Sequence, residues 1–331
     1  ALTTARELGG TATASALTDQ LAAQSPHRQA MILSALADID DSSVMPQIVE
    51  QLNADDPHVQ LAAVRAVSKL GDETAVDPLL RLAAAADEPI AAAAEECLEN
   101  LSGGAVDEAL LDRLERADAT TRRIILRLAG KRRIHATEQL AAASRDEEAE
   151  VRAAALAALC ALVGPGELSI LIDRVVDPQH PGDASAAARP LGDAASRMPD
   201  QQATAREVIG AMEGKDIATR GALLEVLGKI GGPTAIEALR EAGLSGEPEL
   251  EDVVTRVLGA WMTADAAPSL LKIAQQASEQ KYRVRALRGY LRIARQFKLP
   301  VDERIEMAKT ALDHAERTEE KLLALKVLSR S

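Results

Sequence analysis

The sequence has 331 residues, of which 47% are hydrophobic and only 1% aromatic, so the expected core consists of aliphatic side chains and alanine. This composition argues against a broad ligand pocket lined by aromatic rings. The formal net charge of −13 disfavours nonspecific binding to nucleic acid, which needs a basic surface. No apolar run reaches the roughly 18 residues of a membrane-spanning helix. We therefore expect neither a nucleic-acid partner nor a membrane partner.

A period of 31 residues runs through the first third of the chain. Similar residues recur at this spacing in several columns: Ala35, Ala66 and Cys97; Leu36, Val67 and Leu98; Ile48, Leu79 and Leu110. Such a period is typical of a solenoid, in which each repeat buries its apolar face against its neighbours. The period predicts a core that extends along the array rather than one central core.

Each repeat is predicted to contain two helices. Asp56 provides an N-cap and Pro57 occupies the first helical position, where the missing N–H costs nothing. The first helix ends at Gly71 and a second helix follows from about Pro78. No segment shows sustained alternation of β-branched and polar residues, so we expect an all-α fold without a sheet.

Residues 176–200 interrupt the period. Leu159 and Leu227 are separated by 68 residues, which is two periods and a small surplus. Prolines are dense in this stretch, at Pro178, Pro181, Pro190 and Pro199. We interpret it as one irregular repeat with a protruding loop that joins two regular arms. The prediction is one continuous repeat domain over residues 1–331, with about ten repeats and a last helix from Glu319 to Ser329.

Three short motifs resemble the HEAT-repeat (armadillo-like) family. They are Val64-Arg65-Ala66-Val67, Val151-Arg152-Ala153-Ala154-Ala155-Leu156 and Gly231-Gly232-Pro233-Thr234-Ala235-Ile236. The resemblance implies a right-handed α-α superhelix of about ten HEAT-like repeats that acts as a noncatalytic protein-interaction scaffold. Its extended concave surface is expected to be formed by the second helices of the repeats.

The C-terminal region suggests an alternative. Residues 282–290 and 303–308 look like the HEAT regions of large, secreted multidomain proteins of planctomycete-like bacteria. Because those regions are often joined to sugar-hydrolase or haem-binding modules, the chain is alternatively an accessory module of a larger carbohydrate-active or haem-containing enzyme. The same resemblance favours an extracytoplasmic location, and the absence of an initial Met leads us to expect a piece of a longer protein.

A row of arginines is the clearest candidate binding site. Arg285, Arg288, Arg292 and Arg295 follow one another at helical spacing, and no acidic residue occurs from Lys281 to Lys298. Guanidinium groups bind carboxylates or phosphates in pairs, which indicates a protein partner, a sister domain of a longer chain or an anionic ligand. The alternative is a solvated face balanced by acids such as Glu303, Glu306 and Glu320. Trp261 and Tyr282 are candidate apolar anchors, provided that they are exposed.

A second basic cluster has the same two interpretations. It comprises Arg122, Arg123, Arg127, Lys131, Arg132 and Arg133. We expect acids of adjoining repeats to balance it, and the candidates are Asp112, Glu115, Glu147 and Glu148. An anionic ligand is the alternative.

No catalytic, metal or cofactor site is predicted. His27 and His58 lie one period apart at helix starts, and roughly 10 Å between helix layers is too far for one shared metal ion. Cys97 and Cys160 lie about two repeats apart, so we expect two free, buried thiols. No His-Glu pair, Gly-rich phosphate loop, zinc signature or Gly-x-Ser-x-Gly turn occurs.

Overall fold

The computed structural model describes residues 2–180 and 182–330, and all regular secondary structure in these residues is helical. This confirms the predicted all-α fold class. The chain divides into two compact units, Ala1–Leu162 and Val163–Ser331. In both units the odd-numbered helices are the first helices of the repeats (A helices) and the even-numbered helices are the second (B helices).

The first unit is a row of stacked two-helix repeats. Its α-helices are α1 (Leu2–Leu8), α2 (Thr11–Leu21), α3 (Pro26–Ile39), α4 (Met45–Glu50), α5 (Pro57–Leu70), α6 (Val76–Ala83), α7 (Glu88–Asn100), α8 (Gly104–Leu114), α9 (Ala119–Arg132), α10 (Thr137–Ala143) and α11 (Ala149–Leu162). Successive A helices pack side by side from α1 to α11, and each B helix packs against the A helix of the following repeat. Each repeat therefore leans on the next, as a solenoid requires.

The second unit repeats this arrangement. Its α-helices are α12 (Leu168–Val176), α13 (Asp183–Ala195), α14 (Gln201–Gly210), α15 (Ile217–Ile230), α16 (Gly232–Ala242), α17 (Pro248–Gly259), α18 (Ala267–Gln276), α19 (Gln280–Gln296), α20 (Val301–His314) and α21 (Thr318–Leu328). The A helices α13 to α21 pack in chain order, and so do the B helices α14 to α20. The predicted last helix is confirmed within one residue at each end.

The periodic columns of the sequence form the core. Leu36, Val67 and Leu98 are each 0% exposed, although they lie on three different A helices. Corresponding positions are buried because every A helix turns the same face towards its neighbours. The helix starts also follow the sequence: the Asp56 carboxylate accepts a hydrogen bond from the backbone N–H of His58 at 2.9 Å.

The proline-rich stretch is mostly helical. Helix α12 ends at Val176, and α13 then contains Pro190 and packs against α12 and α15. Pro178 and Pro199 lie in the connections before and after α13, whereas Pro181 lies outside the described residues. The irregular repeat thus contributes an A helix to the stack, and the single continuous domain stays a prediction.

Candidate functional site

The arginine row lies on α19, an A helix that packs between α17 and α21. The apolar face of α19 is buried, with Ala286 and Ile293 each 0% exposed. The arginines lie outside this face, and Arg285, Arg288 and Arg292 extend towards the neighbouring A helices. They are therefore not on the B-helix side, where the sequence predicted the partner surface.

Arg285 is bound to α17. Its Nη1 donates hydrogen bonds to Asp252 Oδ1 at 2.8 Å, to the Asp252 carbonyl at 3.2 Å and to Thr255 Oγ1 at 3.3 Å. The guanidinium carbon also lies 6.0 Å from the centre of the Tyr282 ring. Because the Arg285 and Asp252 side chains are 41% and 44% exposed, this ion pair is screened by water and contributes little to stability.

Arg288 is bound to α21 on the other side. Its Nε donates a hydrogen bond to Glu320 Oε1 at 2.6 Å, and Glu320 is fully buried. A carboxylate removed from water needs a charged partner, so this contact carries a structural role. Glu320 is one of the acids that the sequence proposed as a balancing charge.

Arg292 reaches the carboxyl end of α17, where its Nη2 donates a hydrogen bond to the carbonyl of Trp261. The last carbonyls of a helix and of the turn after it lack partners within the helix, so a guanidinium from the next repeat satisfies one of them. Burial, with a smaller contribution from the neighbouring Arg295, lowers the pKa of Arg292 from its ordinary value. Arg295 itself is exposed and has no recorded ion pair among the described residues.

The arginine groove is a cavity of about 330 Å³ between α17 and α19. Four arginines line it: Arg256, Arg285, Arg288 and Arg292. Its floor includes Gly259 and Gly289, and a Cβ atom added to Gly289 would lie 3.1 Å from the Gly259 Cα. The two glycines therefore let the helices approach closely and leave the floor without side chains.

The sequence pattern did not point to Arg256, because the arginine row follows one helix and Arg256 lies on the preceding A helix. Its Nη1 lies 2.9 Å from Glu225 Oε1, and its side chain is 56% exposed. Three carboxylates, those of Glu225, Asp252 and Glu320, contact the guanidinium groups of Arg256, Arg285 and Arg288, whereas Arg292 contacts no carboxylate among the described residues. The arginine groove thus has a surplus of one formal positive charge.

The two candidate aromatic anchors are buried, contrary to the exposure that an anchor needs. Trp261 is 6% exposed and Tyr282 is 3% exposed. Trp261 follows α17, and its Nε1 donates a hydrogen bond to Asp265 Oδ1 at 3.1 Å, which holds the ring inside the repeat. Both rings support the helices that carry the arginines and are not available to a partner.

The second basic cluster is balanced by acids of adjoining repeats, as predicted, but the acids are different ones. The recorded ion pairs are Arg122–Asp146, Arg123–Glu150, Arg127–Glu95, Lys131–Glu99 and Arg132–Asp107. They replace the predicted partners Asp112, Glu115, Glu147 and Glu148. Each of these five basic side chains pairs with an acid of a neighbouring repeat. The predicted acids are near the cluster in the sequence, but they do not form these pairs.

Arg132 repeats the role of Arg292. Its Nη1 donates hydrogen bonds to the carbonyls of Leu98 and Leu101, both at 2.6 Å, at the carboxyl end of α7. Its side chain is only 7% exposed and its Nε donates to Asp107. The same contact in both units shows that an arginine near the end of an A helix caps the A helix before it.

Shifted pKa values occur at structural contacts in separate parts of the molecule. The hydrogen bond from Arg113 lowers the pKa of Asp77, and the hydrogen bond from the Thr121 backbone lowers the pKa of Asp118, the N-cap of α9. Burial raises the pKa of Tyr290. These shifts follow from ion pairs, caps and core packing, and they do not converge on one cleft.

The histidines and thiols are also placed by the fold. His27 and His58 are exposed at the starts of α3 and α5, as predicted. In residues 2–180 and 182–330, no group of three or more His, Cys, Asp or Glu side chains has a geometry that could hold a metal ion. Cys97 and Cys160 are not joined in a disulfide. Cys97 is buried as predicted, whereas Cys160 is only half-buried, because it lies near the end of α11.

Within residues 2–180 and 182–330, no helix combines the length and the apolar character that a membrane span requires.

Comparison with known proteins agrees with the fold. Residues 14–99 match the family model of HEAT repeats, and residues 219–242 match that of the PBS lyase HEAT-like repeat. The comparison with curated proteins found no match.

Solved structures that resemble the chain include karyopherins. The structure of Kap121p bound to Nup53p has 11% sequence identity and a TM-score of 0.54, and the match covers 95% of this chain and 40% of Kap121p. Kap121p bound to the extreme C-terminus of the protein phosphatase Cdc14p gives 11% identity, a TM-score of 0.53 and coverages of 95% and 41%.

A structure of Kap95p with RanGDP gives 13% identity, a TM-score of 0.51 and coverages of 95% and 50%. The chain thus spans about 40–50% of the length of these karyopherins. At this identity the likeness concerns the fold alone. Together with the two family matches, it shows that the chain is an all-α solenoid that contains HEAT repeats.

Proposed function

We propose that this protein is a noncatalytic scaffold that binds a protein partner, and that the arginine groove receives an acidic segment of that partner. The observation that carries the proposal is the convergence of four arginines from two successive A helices on one groove with a glycine floor. A surplus of positive charge in a chain with a net charge of −13 makes this groove complementary to an acidic segment.

The guanidinium groups retain donors for a partner. Each guanidinium has five N–H donors, and the recorded hydrogen bonds of Arg285 all come from Nη1. Arg256 is more than half exposed and pairs with a carboxylate that is 47% exposed. A carboxylate of the partner is therefore able to add to these contacts without breaking the buried Arg288–Glu320 pair.

The solved karyopherin structures support a protein partner. Kap121p is bound there to Nup53p and to a segment of Cdc14p, so solenoids with this fold accommodate protein segments. The role of Arg285, Arg288, Arg292 and Arg295 in binding is part of our proposal, with Arg256 added from the structure. Solenoids spread binding over many modest contacts, so the groove is expected to be one contact region among several.

The test compares two matched double variants. Arg256→Gln with Arg285→Gln removes two exposed charges from the groove and leaves the buried pair intact. Arg123→Gln with Arg127→Gln removes two charges of the first unit with similar exposure, at 39% and 49%. We expect the control variant and the wild type to capture the same proteins from an extract of the source organism, identified by mass spectrometry, and the groove variant to lose them.

Two results would overturn the proposal. If the groove variant retains the partners of the wild type, the arginine groove is not the binding surface. If both double variants lose them equally, binding follows net charge and not a specific groove. Circular dichroism and thermal unfolding of all three proteins show whether each variant is folded.

A further inference from the structure

A second and larger cavity lies in the first unit, far along the sequence from the arginine groove. This cavity, the α3 trough, has a volume of about 900 Å³ and is lined by residues of α1, α3 and α5. Helix α3 packs between the other two, so its exposed face forms the middle of the trough. All three are A helices, and the trough therefore opens on the A-helix side of the unit.

The middle of the trough is apolar. Met31 on α3 is 46% exposed, which is unusual for a large hydrophobic side chain in this protein. Ala30 on α3 and Leu61 and Ala62 on α5 line the same cavity. Exposed apolar surface in a concave place indicates an interaction site, and a flexible methionine adapts to the partner that covers it.

The sides of the trough are positively charged. Arg65 on α5 lines the cavity, is exposed and has no recorded hydrogen bond or ion pair within the described part of the chain. Arg6 on α1 and Lys69 on α5 share one carboxylate, since Asp38 lies 2.9 Å from Arg6 and 2.8 Å from Lys69. Two cations held by one anion leave an unbalanced positive charge at this end.

The acid that lines the trough is already engaged. The Asp56 carboxylate accepts hydrogen bonds from the backbone N–H groups at the start of α5. Three cations, Arg6, Arg65 and Lys69, therefore face two carboxylates, those of Asp38 and Asp56. This surplus is complementary to an acidic partner, and it opposes contact with the same positively charged trough of a second copy.

The dimensions fit a helix. The trough residues of α3 run from Pro26 to Ala37, which is roughly 18 Å at 1.5 Å per residue. Helices α1 and α5 flank α3 at about 8–10 Å each, which leaves room for one helix of about 10 Å diameter.

We propose that the α3 trough binds an acidic amphipathic helix of about three turns from a protein partner. The apolar face of that helix covers Met31, and its carboxylates pair with Arg65 and with the Arg6–Lys69 end. This inference extends the proposed scaffold function to a second surface, and it is tested without the arginine groove.

The probe is a fluorescein-labelled peptide of about 15 residues, with Leu at positions i, i+3, i+4, i+7 and i+11 and mostly Glu elsewhere. Fluorescence anisotropy with the whole protein, at about 50 mM salt, measures its affinity. We expect Arg65→Glu and Met31→Glu each to weaken binding by about tenfold or more. Arg206→Glu is the matched control, because Arg206 on α14 is also exposed without a recorded partner among the described residues.

Four outcomes would overturn the proposal. Two concern the protein: the wild type fails to bind the peptide, or Arg65→Glu and Arg206→Glu weaken binding equally. Two concern the peptide: a version with Lys in place of Glu binds equally well, or a version of the same composition with scattered Leu does. Arg65→Ala, with no reversal of charge, repeats the test if Arg65→Glu is poorly folded. The arginine-groove variant Arg256→Gln/Arg285→Gln is expected to keep the binding that depends on Arg65 and Met31, so failure of either proposal is recognised separately.

Discussion

Arg288 on α19 forms an ion pair of 2.6 Å with Glu320 on α21, although the Glu320 side chain is only 1% exposed. The second oxygen of Glu320 is buried without a hydrogen bond to the described residues. The pair thus joins two successive A helices through a carboxylate that has almost no access to water. Arg288 belongs to the arginine row proposed as a binding surface, but it consequently also makes a structural contact.

Removal of this contact is expected to destabilise the protein strongly. Arg288→Ala removes the hydrogen-bonded cation from the buried Glu320 carboxylate and leaves only Arg317, whose Nε lies 3.9 Å from Oε2; such a loss costs about 3 kcal/mol. Arg295→Ala, in the same row, is expected to change the free energy of unfolding by less than about 0.5 kcal/mol, because Arg295 is exposed. Urea unfolding measures both. Equal effects would show that the Arg288–Glu320 pair has no special role.

The capping arginine of the first unit gives a second prediction. Arg132→Met keeps much of the side-chain volume but removes the donors to the carbonyls of Leu98 and Leu101, and we expect a loss of about 2 kcal/mol. The neighbouring Arg133 is exposed, so Arg133→Met is the control and should be nearly neutral. The prediction is contradicted if urea unfolding gives the two variants the same stability.

Acid sensitivity follows from Asp38. The hydrogen bond from Lys69 is the largest cause that lowers the pKa of Asp38 below its ordinary value of 3.8. A carboxyl group with a lowered pKa in the folded state stabilises the protein above its unfolded pKa, and this contribution is lost as the pH falls through the folded pKa. We expect Lys69→Met to be less stable than the wild type at neutral pH, and the difference to shrink as the pH falls below about 4. Urea unfolding across this pH range measures it, and a difference that grows on acidification would contradict it.

The two cysteines should react differently. Burial raises the pKa of Cys97 to about 11, so its thiolate is scarce at about pH 8 and the native protein should protect it. Without reductant, the denatured protein should react with two equivalents of a thiol reagent. In the folded Cys160→Ala variant, where Cys97 is the remaining thiol, the reaction should be slow. Zero equivalents after denaturation would indicate a disulfide and contradict the structure.

The sequence predicted the repeats better than the contacts between them. The burial of Leu36, Val67 and Leu98 could be predicted because buried apolar positions recur with the 31-residue period. The pair Arg127–Glu95 was also accessible in principle, because its members lie 32 residues apart, close to the period. Arg132–Asp107 spans 25 residues and depends on how an A helix meets a B helix, which the period does not specify.

The candidate site was predicted in part. The helix of the arginine row is confirmed at Gln280–Gln296, but its contacts with Asp252 and Trp261 depend on the rotation of α17 against α19. The glycine pair Gly259 and Gly289, 30 residues apart, was the signal in the sequence for a close approach of two A helices. That approach is what brings Arg256 into the groove.

Two expectations drawn from the resemblance stay predictions: the likeness to secreted multidomain proteins of planctomycete-like bacteria, and the alternative role as an accessory enzyme module. The sequence of the complete gene decides both. A hydrolase or haem-binding module encoded beside the repeats would favour the alternative, and a gene that encodes repeats alone would favour the scaffold.

The ion pairs Glu95–Arg127 and Glu99–Lys131 place an acidic A helix, α7, beside a basic one, α9. Neighbouring repeats are therefore not interchangeable. Gene duplication of the α7–α8 segment alone would set Glu95 against its own copy, and like charges would meet along the new junction. Duplication of α7 to α10 together would instead place a copied Glu95 beside the original Arg127. The charge pattern thus favours evolutionary growth of this array by pairs of repeats.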